Sequence, residues 1–307
     1  MWVFVQRYGV PSARSRVTAA ALSSHARCRQ LLRELSEGEP RSAKRTDPGT
    51  RSALGRLDIE AGRLEAYWYL VLRCSSVEQW RRASARCRRL RGLITPLTDV
   101  PGRGAARVAM DADRSRHPKR ARAARRAARA LEETLGGQRI AKQISKIATL
   151  LKRDADAWRY LPGRCQGLDD GAIEASLLRG LLRQQQKRAR KQQKGVQRLI
   201  WQLELIGASG TDDLGPLLSD LRRLGERLLE HHAVAAFAAQ LDRLPLQEAD
   251  QRRLQRAVNE TLARLHVDSR PLTEWRTDCL AAALKCELRR WAWRDYLEDS
   301  VLNREGL

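Results

Sequence analysis

The chain has 307 residues, long enough for one large helical domain or two smaller ones. Its 59 Lys and Arg stand against 36 Asp and Glu, a formal net charge of +23, so it repels itself unless a counter-charge is present. Nucleic acid, polyphosphate, an acidic protein or an anionic membrane surface are the partners this allows, while the lack of any run of about 18 apolar residues argues against a membrane-spanning helix.

Residues 1–19 read as an N-terminal extension. Met1–Val10 has one Arg and lacks the charged start and small-residue cleavage site of a signal peptide. From there on helix formers dominate, and no stretch alternates with period two. Gly38–Thr50, with two prolines and two glycines, predicts a loop, followed by a long helix over Leu57–Leu72. Trp80, Ala83, Cys87, Leu90 and Ile94 then recur at helical spacing and form one apolar stripe. The same segment, Arg81–Arg91, carries six arginines and no acid, with Arg82, Arg86 and Arg89 as the clearest outward set. Thr95-Pro96, Pro101–Gly104 and His117-Pro118 predict further breaks. Beyond them Arg122, Arg125, Arg126 and Arg129 share about one helical face.

Gly136-Gly137 and Pro162–Gly171 are the next breaks, and the second divides the chain into two helical halves, 20–165 and 166–307. No acid occurs from Ala175 to Leu203. Within that stretch Arg179, Arg183, Lys187, Arg190, Lys191, Lys194 and Arg198 fall in an arc of about 100° on one helix. Like charges at i,i+4 cost ~0.2–0.5 kcal/mol per pair, so an unrelieved stripe predicts an anionic ligand. A continuous helix would carry the stripe for roughly 28 Å. Gln184–Gln186 and Gln192-Gln193 leave its middle without an apolar face, so Leu177–Leu182 and Val196–Leu203 are the two ends expected to pack. After a loop at Gly207–Gly215, Leu217, Leu221, Leu224 and Leu228 form another apolar stripe. Breaks near Pro245 and Pro271 precede a last one at Trp275, Cys279 and Ala282-Ala283.

The six cysteines, Cys28, Cys74, Cys87, Cys165, Cys279 and Cys286, never form CxxC and have no His at ligand spacing. They read as buried small hydrophobes rather than a zinc or disulfide site. Most of the eight tryptophans lie on or beside apolar stripes and read as core. His231 and His232 are adjacent and so point about 100° apart, too far to grip one metal from one face. A phosphate contact or a structural role fits them, whereas His25, His117 and His266 stand isolated. No Ser/His/Asp or Cys/His set, no paired carboxylates in an apolar setting and no Walker-type loop can be recognised. The expectation is a non-catalytic protein without cofactor or metal.

Two or three basic helices facing one another would focus positive potential into a groove. The tightest stripes hold no aromatic residue, whereas single-strand and RNA binders interleave aromatics with their cations. No helix-turn-helix or zinc-finger spacing appears. A polyanion without bases is therefore favoured over nucleic acid.

Leu178–Arg183 with Lys187–Lys191, and Lys194–Leu205 ending in Trp201-Gln202-Leu203-Glu204-Leu205, resemble the second half of a CHAD domain, the helical "conserved histidine" module associated with polyphosphate. Leu221–Gly225 followed by Leu229-Glu230-His231-His232 resembles that family's Leu-Gly-Glu-His-His-Asp stretch. Ile94–Val100 resembles its Ser-Pro-Leu-Arg-Asp turn, and Glu60–Leu72 its opening helix. The chain departs from the pattern at Asp58-Ile59 and Arg190, where the marker histidines would stand, and at Thr98 and Ala233. Glu60 and Glu65 also stand where the family is basic. The resemblance implies an all-α fold of two antiparallel four-helix-bundle-like halves around a basic central groove. It also implies polyphosphate binding without turnover, in the cytoplasm and on polyphosphate granules. The alternatives are a nucleic-acid-associated basic helical protein and a CHAD-like scaffold for protein interaction.

Overall fold

The computed structural model describes residues 13–37, 48–71, 77–98, 100–135, 140–161, 170–185, 193–206, 214–265, 281–286 and 288. Every regular element among them is helical. In chain order these are α1 (Ala13–Glu37), α2 (Pro48–Leu70), α3 (Val77–Ile94), α4 (Val100–Arg114), α5 (Pro118–Leu135) and α6 (Ile140–Arg159). Then come α7 (Asp170–Gln185), α8 (Gln193–Leu205), α9 (Gly215–Ala238) and α10 (Glu248–Arg264). Short 3₁₀ turns at Thr95–Leu97 and Leu241–Arg243 end α3 and α9. No described helix is long and apolar enough to cross a membrane.

The expected apolar stripes are the buried faces. Ala83, Cys87, Leu90 and Ile94 turn inward from α3, with Trp80 half-buried beside them, and Leu217, Leu221, Leu224 and Leu228 turn inward from α9. Of the last stripe, Ala283 packs on the core while Ala282 is exposed, and Trp275 and Cys279 lie outside the described residues. The cores are two. The larger gathers α1, α2, α3, α6, α7, α8 and the first part of α9 around the tilted ring pair Trp68 and Trp158, whose centroids are 4.3 Å apart. The smaller joins α4, α5, α10 and the last part of α9, through Val108, Ala124, Ala127, Phe237, Leu254 and Val258. Each core draws residues from both sides of the Pro162–Gly171 stretch, and α9 serves both.

Close crossings rest on glycines. A Cβ at Gly62 of α2 would lie 2.1 Å from the Trp201 ring of α8, and one at Gly104 of α4 would lie 2.1 Å from the Ala233 carbonyl oxygen of α9. Gly104 also explains a difference from the sequence expectation. Pro101–Gly104 reads as a loop, yet it forms the first turn of α4, with Gly102 and Gly104 buried. Proline is tolerated in a first turn because its missing N–H has no helical partner there. Burial against α9 then outweighs the weak helix propensity of two glycines, about 1 kcal/mol each. Similarly α2 begins at Pro48 and α9 at Gly215, inside segments whose composition predicts loops.

A second difference concerns the long basic stripe. A Cβ at Gly180 would stand 2.8 Å from Leu199 Cδ2, so α7 and α8 lie side by side. Nineteen residues along one straight helix would separate those positions by roughly 28 Å. Arg179 and Arg183 therefore belong to one helix, and Lys194 and Arg198 to its neighbour. The expected packed ends, Leu177, Leu181, Val196, Leu199 and Leu203, are buried.

One buried polar network sits in the larger core. The Asp154 carboxylate accepts from Arg86 Nε at 3.0 Å and from Trp68 Nε1 at 3.1 Å, and lies 3.2 Å from His25 Nε2. Arg86 thus points inward, with its side chain 21% exposed, rather than outward with Arg82 and Arg89. His25 is likewise not isolated, because the fold supplies a partner 129 residues away.

The thiols of Cys28 and Cys87 are buried, as expected. Burial, reinforced by the Glu60 carboxylate, pushes Cys28 up to about 12, and burial pushes Cys87 well above the usual thiol range. Both are therefore protonated and unreactive at neutral pH. Cys286 is half-buried and free, and Cys74, Cys165 and Cys279 lie outside the described residues.

Candidate polyanion-binding site

Charge on a helix attracts a ligand only where the fold leaves it unneutralised, so each expected cation is judged by its neighbours. On α3, Arg82 is held by Glu78 at 2.7 Å and Arg86 by Asp154, while Arg89 is exposed with no ion pair among the described residues. On α5, Arg125 pairs with Asp113, and Arg126 with Asp250 of α10 at 2.8 Å. Arg122 and Arg129 remain exposed there without an acidic partner among the described residues. On α7, Arg179 Nε donates to the Ala175 carbonyl at 2.7 Å, and Arg183 is exposed and unpaired among the described residues. On α8, the Arg198 guanidinium lies 3.3 Å from the centre of the Tyr69 ring and 3.8 Å from Glu65. Lys187, Arg190 and Lys191 lie outside the described residues.

The acids of α2 account for much of this neutralisation. Glu65 lies between Arg198 and Arg91, the latter at 3.6 Å, and Arg91 also reaches Asp58 at 3.4 Å. Glu60, nearly buried, takes Arg63 at 2.7 Å and Arg27 at 3.1 Å. The face between α2, α3 and α8 is consequently a lattice of mixed charge.

One cluster differs. Arg103 of α4 and Lys194 of α8 lie near enough to His232 of α9 for both cations to act electrostatically on the imidazole. Three contacts place them. Gly225 packs against Ile200 and Val196, which sets α8 along α9 and brings Lys194 toward His232. Gly104 seats on Ala233, which brings the neighbouring Arg103 to the same point. One turn further, Arg107 Nη1 reaches Glu230 at 3.3 Å and Nε lies 3.6 Å from Asp111, closing that side. Arg103 and Lys194 are exposed and make no ion pair among the described residues. His231 is half-buried and makes an interaction of its own.

The structure thus brings together two residues expected from the sequence, Lys194 and His232, and adds a third, Arg103. The basic stripes gave no signal for Arg103, because it stands between glycines in a segment that reads as a loop.

His232 is more than a third exposed, yet the protein around it takes away enough water for desolvation to lead. Desolvation, then Lys194 and Arg103, hold it below the ordinary histidine value of 6.5. The unfolded chain takes up this proton near 6.5, and the folded chain only at lower pH. The native state therefore loses stability as pH falls through about 6.5, and the loss levels off below the folded value. His232→Gln will reduce this acid-side loss, read as a flatter plot of urea midpoint against pH between 7 and 5. An unchanged slope would place the titration elsewhere. Among the described residues no group of three potential metal ligands occurs.

No protein-family model, no curated protein and no solved structure matches this chain.

Proposed function

We propose that the protein binds inorganic polyphosphate, without turning it over, at the junction of α4, α8 and α9. The single observation that carries this reading is the convergence of Arg103, Lys194 and His232 from three helices with no acid paired to the two cations. Ammonium and guanidinium groups offer charge-assisted hydrogen bonds to phosphate oxygens, and a neutral imidazole offers one more donor. A linear polyanion could continue from there toward Arg183 on α7, or toward Arg122 and Arg129 on α5. Each covered cation would release its counterion. Among the described residues neither Arg103 nor Lys194 lies over an aromatic ring, which favours a ligand without bases over nucleic acid.

The same reading takes the chain as a divergent CHAD domain, with two antiparallel four-helix-bundle-like halves around a basic groove, resident in the cytoplasm on polyphosphate granules. The marker histidines at the positions of Asp58 and Arg190 are replaced. In this proposal the ligand surface is correspondingly smaller than a full groove, because Glu60 and Glu65 already neutralise the α2 side.

The test is competition. Long-chain polyphosphate is expected to displace duplex DNA at ~150 mM salt, with a log–log salt slope of roughly −0.7 to −0.9 per phosphate covered. The triple variant Arg103→Gln, Lys194→Gln, Arg183→Gln should lose about tenfold or more in polyphosphate affinity, and its slope should flatten by about two to three contacts. Equal affinity for DNA or RNA, with material absorbing at 260 nm in the purified protein, would favour a nucleic-acid partner. Unchanged polyphosphate affinity in the triple variant would remove this site from consideration and leave the scaffold reading.

A further inference from the structure

Helices α1 and α6 carry matching faces. His25, Arg29, Leu32, Arg33 and Ser36 on one, and Ile144, Ala148, Leu151, Lys152 and Ala155 on the other, recur with the same spacing of i, i+4, i+7, i+8 and i+11. The His25–Asp154 contact ties the two helices at one end. Away from it, these faces line an open groove of about 480 Å³, within the ~300–1,000 Å³ common for small-molecule sites. From His25 to Ser36 it runs for about 16 Å at the helical rise.

The groove is chemically divided. Leu32 and Leu151 are buried in its floor and Ile144 is half-buried. Its rim holds Arg29, Arg33 and Lys152, all exposed and without an ion pair among the described residues. Asp156, the acid on the rim, is bound to Arg159 at 3.0 Å, so that pair adds no net charge. His25 also lines the groove, and its Nδ1 is buried with no hydrogen-bond partner.

A bare polyphosphate would leave the apolar floor uncovered, and a neutral hydrocarbon would leave three cations without a partner. We infer that the α1/α6 groove binds an amphipathic acid, a carboxylate head on an unbranched acyl tail. The head pairs with Arg29, Arg33 and Lys152, and the tail lies along Leu32, Ile144 and Leu151. This site is separate from the α4/α8/α9 junction and stands or falls without it.

Isothermal titration of the full chain with sodium dodecanoate, kept below its micelle concentration, tests the inference. Dodecanoate should bind one-to-one, dodecyl maltoside (same tail, uncharged head) about tenfold weaker or worse, and acetate not measurably. Arg29→Gln, Arg33→Gln and Lys152→Gln together should weaken dodecanoate about tenfold. Ala148→Trp, at an exposed position in the groove, should abolish binding while leaving the thermal melt and polyphosphate affinity unchanged. Equal binding of the maltoside, unchanged binding in the triple glutamine variant, or no heat with dodecanoate would each overturn it.

Discussion

Gly104→Ala is expected to destabilise the protein by about 3 kcal/mol, although alanine in an open helix is worth up to about 1 kcal/mol over glycine. The sign reverses because of what the new methyl meets. It would lie 2.1 Å from the Ala233 carbonyl oxygen, 2.6 Å from that carbonyl carbon and 2.9 Å from Phe237 Cβ. Backbone atoms of α9 cannot turn aside as a side chain can, so α4 and α9 must separate. Separation opens the smaller core around Phe237, which is fully buried. It also moves Arg103 away from His232 and Lys194, so polyphosphate affinity should fall in the same variant. Gly92→Ala is the control. Gly92 is exposed near the end of α3 with nothing within 4 Å of the added Cβ, and should gain about 0.5–1 kcal/mol. Urea unfolding of both variants decides the matter; a stabilised Gly104→Ala would mean that the α4/α9 crossing is looser than described.

The second large effect belongs to Asp154. Asp154→Ala should cost about 3–5 kcal/mol, because it strips the acceptor from Arg86, Trp68 and His25 at once and leaves a guanidinium in the core edge unpaired. The carboxylate is only 4% exposed, so water cannot take its place cheaply. Arg86 also lies over the Trp68 ring at 5.8 Å, which supports its planar head but does not neutralise it. Removing Arg86 as well, as Arg86→Met, should recover part of the loss. A double-mutant cycle on urea unfolding should show a coupling of about 2 kcal/mol. Additive effects of the two substitutions would show that the pair is not a unit. Arg86→Met alone should leave polyphosphate affinity unchanged once folding is allowed for, in contrast to Arg103→Gln.

These two residues mark where reading the chain ran out. Asp154 stands among Lys152, Arg153 and Asp156 in a segment that looks like an ordinary charged helix. Nothing local says that it turns inward to meet Arg86, 68 residues earlier, and His25, 129 residues earlier. Gly104 stands in the run Pro101-Gly102-Arg103-Gly104 and has the composition of a loop. Its place in a helix is decided by α9, which accepts only a residue without a side chain. Lys194 and His232 were legible, the first from the acid-free stretch and the second from its stripe-flanking pair of histidines. Their meeting with Arg103 was not, because helix periodicity reports which face a residue occupies and not which helix lies opposite.

By itself the sequence determined the all-helical character, the inward faces of α3 and α9, the burial of Cys28 and Cys87 and a surplus of positive charge. Each of these follows from propensity, from a 3.6-residue period or from counting, and none needs a distant neighbour. The tertiary structure decided which of the cations keep their charge. Coulomb attraction at 3–4 Å depends on which acid is brought within reach, and Glu60, Glu65, Asp154 and Asp250 are brought within reach by packing alone. The same packing silences Arg86 and sets Glu65 beside Arg198, and it leaves Arg103 and Lys194 near His232.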